Sequence, residues 1–218
     1  MEQTAAPAPT PGGGSVSAVT AALGAGLVDM AVAVTAESSL DSFSMHLGAL
    51  RKRIAEAADL DVAAFRELLA AYRLPRDDPD RRSAVEATGV RAAEVPLDLL
   101  ITTLEAIDVS RRVEPLVKPR VVSDVLAGRD LLVGAARAAI RTADINIDEL
   151  RKAGSSQAIG LAERRDALIR DLEAQAPLRP ERGPLGDLSM PQATSPASRS
   201  GPLERLADHG QRPADDRR

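Results

Sequence analysis

Between Phe43 and Tyr72, apolar side chains recur every three or four residues: Phe43, Leu47, Leu50, Ile54, Ala57, Phe65, Leu68 and Tyr72. That interval matches the period of an α-helix, so these side chains share one face of a continuous helix roughly 45 Å long. Asp61 stands inside the same stripe, a carboxylate among apolar neighbours. The stripe has to be covered by something, and the rest of the chain favours more helices. Hydrophobic residues make up 44% of the 218 residues but aromatics only 1%, and Phe43, Phe65 and Tyr72 are the whole aromatic inventory. A core of Ala, Leu, Val and Ile lets helix axes approach closely. Ala and Leu also head the helix-propensity scale, whereas a sheet would call for more β-branched and aromatic residues. The expected fold is all-α.

Around that helix the pattern places four more. Residues 1–14 form a Pro- and Gly-rich lead-in, and Ser15 is expected to cap a first helix running to about Ala36. The Phe43 helix stops near Leu74-Pro75, where the proline ring blocks continuation. A third helix follows Asp77-Asp78-Pro79 and carries Val85, Val90, Leu97, Ile101, Leu104 and Ile107, with Pro96 expected to kink it. After a loop through Pro115 and Pro119, a fourth spans about Val121 to Lys152. Gly154-Ser155-Ser156 then leads to a fifth from about Gln157 to Ala174. The helical domain is thus expected over 15–175. Residues 176–218 hold seven of the fifteen prolines and no hydrophobic period, which reads as a disordered tail.

Several functions are disfavoured by what the chain lacks. It has no cysteine and only two histidines, His46 and His209, too few nitrogen or sulfur ligands for the usual zinc sites, and no metal site is expected. A net charge of −4 and the scarcity of aromatics argue against nucleic acid as a partner. Val16 to Ala36 is long enough to span a bilayer and carries a single charge, Asp29. Its many Ala, Gly, Ser and Thr residues give little transfer energy, and a midspan Asp costs about 2.5–3.5 kcal/mol in lipid, so a buried helix and no membrane are expected. The start Met1-Glu2-Gln3 is not a basic leader, and the cytoplasm is the expected location.

Four segments, in order, resemble the cyclodeaminase/cyclohydrolase family of folate one-carbon enzymes. They are Pro11-Gly12-Gly13-Gly14-Ser15-Val16 with its small-residue helix; Asp61 to Phe65 continuing to Ala71-Tyr72-Arg73-Leu74-Pro75; Val95-Pro96-Leu97; and Val122-Ser123-Asp124 leading to Ile145-Asn146-Ile147. The resemblance implies an up-and-down bundle that forms a homodimer and acts on a tetrahydrofolate derivative without a metal or redox cofactor. It implies one of two reactions: cyclodeamination of the formimino form, or hydrolysis of the methenyl form. It makes Asp61 and Asp124 the catalytic candidates, and Pro11, Gly12, Gly13, Gly14, Ser15, Lys118, Ser123 and Asn146 the substrate-binding ones. The chain also departs from the family pattern. Val117-Lys118 replaces a Gly-Asn pair, and Thr142 stands where an Asn is usual. The Val117-Lys118 pair, the Ala36-Glu37-Ser38 exit from the first helix and the lack of a family helix before Pro11 motivate a rival, a catalytically degenerate relative serving as a helical-bundle binding partner.

Each candidate has a second reading from the residues themselves. Asp61 is either a proton carrier with a raised pKa or a buried hydrogen-bonding residue fixing helix register. Asp124 either complements the dipole at the start of its helix or recognises the amide and amino edge of a pterin. The three glycines either admit a ligand to a helix N-terminus or form a flexible lead-in. Arg73, Arg76, Lys118 and Arg120 are either carboxylate receptors or ordinary surface cations.

Overall fold

The computed structural model describes residues 2–8 and 10–176, so the expected tail, apart from Ala176, lies outside the described residues. After a single helical turn, α1 (Glu2–Ala5), come α2 (Gly13–Thr35), α3 (Asp41–Tyr72), α4 (Arg81–Val113), α5 (Val122–Lys152) and α6 (Gln157–Gln175). Short 3-10 turns at Ser38–Leu40 and Pro119–Val121 lead into α3 and α5. Among the described residues there is no strand. Helix α2 packs on α3 and α5, α4 packs on the same two, and α6 closes over α4 and α5. The result is a ring of four long helices with a fifth laid across one side.

The core follows the apolar stripes. Leu47, Leu50 and Ile54 of α3 are buried against Leu97, Leu100 and Ile107 of α4 and Leu132 and Ile147 of α5. Helix α2 contributes mainly alanines, and at one level it contributes no side chain at all. A Cβ on Gly24 would lie 2.6 Å from the Gly128 carbonyl oxygen, and one on Gly128 would lie 2.6 Å from that of Gly24. The backbones of α2 and α5 therefore touch there, which only glycine allows.

Helix α2 is long and apolar enough to cross a membrane, with a mean hydropathy of 1.7, yet it is a packed member of the bundle. Its one charge is paired inside the protein. Asp29 accepts from Ser44 Oγ at 3.0 Å and lies 3.4 Å from Arg51 Nη1.

Helix α4 is one element from Arg81 to Val113 with Pro96 inside it. Proline has no N–H, so the carbonyl four residues earlier, that of Ala92, loses its helical partner. Asn146 of α5 supplies the replacement, its Nδ2 donating to Ala92 O at 2.7 Å. The Pro96 and Asn146 segments of the sequence are thus two halves of one contact. Asn146→Leu is expected to cost about 1–3 kcal/mol by leaving that carbonyl unpaired. The cost should shrink when Pro96→Ala restores the helical donor, a coupling readable by urea denaturation of the four combinations.

Candidate functional site

The glycine loop and Asp61 form a single unit. Helix α2 begins at Gly13 with Gly12 as its N-cap, three residues before the cap expected at Ser15. The Ser15 hydroxyl does not cap the helix; it donates back to Gly12 O at 3.1 Å. The cap comes from another helix. Asp61 Oδ2 accepts from the Ser15 backbone N–H at 2.8 Å, across 46 residues of chain. Gly14 makes this possible, because a Cβ there would lie 2.5 Å from Asp61 Cγ and 2.9 Å from Oδ2. The anion-attracting end of α2 is therefore occupied by the protein's own carboxylate.

Burial pushes the Asp61 carboxyl above the ordinary carboxylate range, opposed by the Ser15 N–H and hydroxyl. Desolvation disfavours the charged form more than these hydrogen bonds favour it. A half-buried acid balanced in this way can both release and take up a proton.

Thr142 of α5 closes the same layer, its Oγ1 standing 3.3 Å from where a Gly13 Cβ would be. One turn further along each helix, Phe65 and Asn146 line a cleft that opens toward the α3–α4 connection. Pro11 and Ser15 border a second groove together with Thr4 of α1 and Arg66. The structure thus brings Pro11, Gly12, Gly13, Gly14, Ser15, Asp61 and Asn146 to one end of the bundle.

Asp124, Ser123 and Lys118 lie at the other end. Gly128 packs against Leu27 and Val28 of α2, and Asp124 sits one turn before Gly128. Helices α2 and α5 run antiparallel, as the pairings Gly13 with Thr142 and Thr35 with Lys118 require. Asp124 is therefore at least thirteen α2 residues from the Ser15 level, about 20 Å along the axis. Within one chain the two acids share no crevice. Ser123 is exposed and Asp124 half-buried in the first turn of α5, where the carboxylate suits the helix dipole.

Lys118 has a structural task. Its backbone N–H donates to Thr35 Oγ1 at 3.0 Å, and its Nζ reaches Val34 O at 3.4 Å, placing a cation at the C-terminus of α2. The arginines weighed as carboxylate receptors are also split, with Arg73 and Arg76 at the Asp61 end and Arg120 at the Lys118 end. Among the described residues no three His, Asp or Glu side chains gather as a metal site would need. Sequence reasoning did not pair Phe65 with Tyr72, which line the same cleft. Their signal was position, since both follow Asp61 on the stripe of α3.

Several known proteins are similar to this chain. A methenyltetrahydrofolate cyclohydrolase of Methylorubrum extorquens is 30% identical over 159 residues, covering 67% of this chain and 74% of that protein. The formimidoyltransferase-cyclodeaminase of Sus scrofa is 36% identical over 104 residues, 42% of this chain and 19% of that longer protein. The crystal structure of a formiminotetrahydrofolate cyclodeaminase from Thermotoga maritima superposes with a TM-score of 0.62 at 19% identity. The superposition covers 80% of this chain and 91% of that one, a likeness of fold. Residues 1–160 match the formiminotransferase-cyclodeaminase family, and the chain belongs to it.

Proposed function

We propose that this protein is a folate one-carbon enzyme that makes or opens the methenyl ring of tetrahydrofolate, with Asp61 as its acid/base. In the cyclodeaminase direction a folate nitrogen attacks the formimino carbon, the new C–N bond forms, and ammonia leaves after receiving a proton. In the cyclohydrolase direction Asp61 takes a proton from water as oxygen bonds the methenyl carbon. It then returns that proton to the ring nitrogen as the C–N bond breaks, and the remaining hydroxyl proton passes to solvent as the formyl C=O forms. The carbon keeps its oxidation level in both, so no redox cofactor is called for. The observation that carries this reading is the half-buried Asp61 carboxyl, raised in pKa and fixed by the Ser15 N–H at 2.8 Å.

Of the departures from the family pattern, the Val117-Lys118 pair falls away from this centre, whereas Thr142 borders it at the Gly13 layer. Val117 is buried, and Lys118 joins the loop to α2, so both serve packing at the opposite end. Formimino- and methenyltetrahydrofolate supplied separately in an ultraviolet assay test the proposal. Appearance or decay of the methenyl absorbance supports it, and silence with both substrates refutes it.

The homodimer is part of the same reading. Val16, Val19, Leu23, Met30 and Val34 leave an exposed apolar stripe along α2, with Leu23 near its middle and 63% exposed. Leu126 and Leu131 of α5 are also exposed. A patch this continuous suits a second copy of the chain. Leu23→Glu is expected to convert the dimer to monomer in light scattering. A wild type already monomeric at micromolar concentration would exclude the dimer.

A further inference from the structure

Where α3 ends, α4 begins and α5 turns into α6, the bundle opens into a cleft of about 730 Å³. Pockets for small organic ligands span about 300–1,000 Å³. Its walls hold Phe65 and Tyr72, two of the only three aromatic residues in the chain. Neither belongs to the core, and Tyr72 is 44% exposed. In a protein this poor in aromatics, placing two of them in one open cleft is a poor use of core-forming surface and a good platform for a planar ring.

The inner end of the cleft, at Phe65 and Asn146, lies one helical turn beyond the proposed acid/base, which is not itself part of the lining. Phe65 follows Asp61 by four residues on α3, and Asn146 follows Thr142 by four on α5. Each step is one turn, so the Asp61 layer lies about 6 Å below the cleft floor. With its Nδ2 committed to Ala92 O, Asn146 keeps its amide oxygen as an acceptor. The charged groups of the lining are mixed: Glu86 accepts from Ser155 Oγ at 2.6 Å and Glu149 from Lys152 Nζ at 2.7 Å, beside Arg81 and Arg82. Arg81 is held by the end of α3, donating through Nε to Leu74 O at 3.2 Å, while Arg82 stands exposed at the rim.

Resting on the folate reading above, we propose that this cleft seats the substrate. The planar ring system lies against Phe65 and Tyr72, the one-carbon unit faces inward to Asp61, and the glutamate carboxylates meet Arg82. This orientation also keeps those carboxylates away from the α2 N-terminus, where Asp61 already holds the Ser15 N–H.

Tyr72 is the sole tyrosine, so the full-length protein labelled with 3-fluorotyrosine gives a single fluorine resonance from the cleft. Titration with 5-formyltetrahydrofolate, a stable analogue of the open form, is expected to shift that resonance saturably. The midpoint should match the affinity found by calorimetry. Tyr72→Ala and Arg82→Ala, both at exposed positions, should each weaken binding about tenfold or more with thermal stability little changed. Binding by the wild type with an unmoved resonance and undiminished variants would overturn the cleft assignment and leave the folate reading standing. No binding by the wild type would remove both.

Discussion

Asp61→Asn is expected to lower turnover of one-carbon tetrahydrofolates by about 10²–10⁴-fold, the usual contribution of a positioned acid/base. The substitution is nearly isosteric, and an amide oxygen can still accept from the Ser15 N–H, so the fold should persist. Stability should even rise slightly at neutral pH. Burial raises the folded-state pKa of Asp61, so the native state binds its proton more tightly than the unfolded chain does. Stability from this group is then fully present below the ordinary carboxylate pKa and falls as pH climbs through the raised value. Asparagine never charges and escapes that loss. Thermal melts should show the variant at or above the wild type near pH 7, with the gap closing toward acid. A pH–rate profile should lose the limb that Asp61 governs. A variant retaining near-normal turnover would end the case for Asp61 as the proton carrier.

Gly14→Ala is the second change expected to have a large effect, and it tests geometry instead of charge. The new methyl would sit 2.5 Å from Asp61 Cγ, so either the carboxylate or the start of α2 must move. Overpacking of this kind costs about 1–3 kcal/mol. The displaced carboxylate would also lose its Ser15 donor, so activity should fall with stability. The double variant Gly14→Ala with Asp61→Gly separates the two effects. Removing the Asp61 side chain vacates the space, and stability should recover by more than the single changes predict, with a coupling of about 1 kcal/mol or more. Activity should not recover. Simple additivity in denaturant unfolding would mean that the close approach of Gly14 and Asp61 carries no energetic weight.

How far each feature could be read from sequence depended on the range of the interactions behind it. The α3 stripe was legible because a helical period is a local signal, and the helix runs from Asp41 to Tyr72 much as expected. Asp61 was legible as an anomaly, a carboxylate where packing calls for carbon. Its partner was not, because the Ser15 N–H lies 46 residues away and Ser15 itself resembled an ordinary N-cap. Asn146 was noticed for the family pattern it shares, while its bond to the carbonyl orphaned by Pro96 bridges 54 residues and leaves no local trace. Asp61 and Asp124, the two acids the family resemblance singles out, lie at opposite ends of the bundle within the chain, and the sequence hides this for a directional reason. Residue spacing carries no record of which ends of two antiparallel helices lie side by side.

The crossing of α2 and α5 at Gly24 and Gly128 bears on how the protein can breathe. With main chain pressed on main chain, neither rod can roll or slide there without collision, so the crossing acts as a fixed fulcrum. Any widening that admits or releases a ligand then falls to the free tips of the rods, at the α3–α4 and α5–α6 corners. Exchange of amide hydrogens should accordingly be slowest around the two glycines and fastest at those corners.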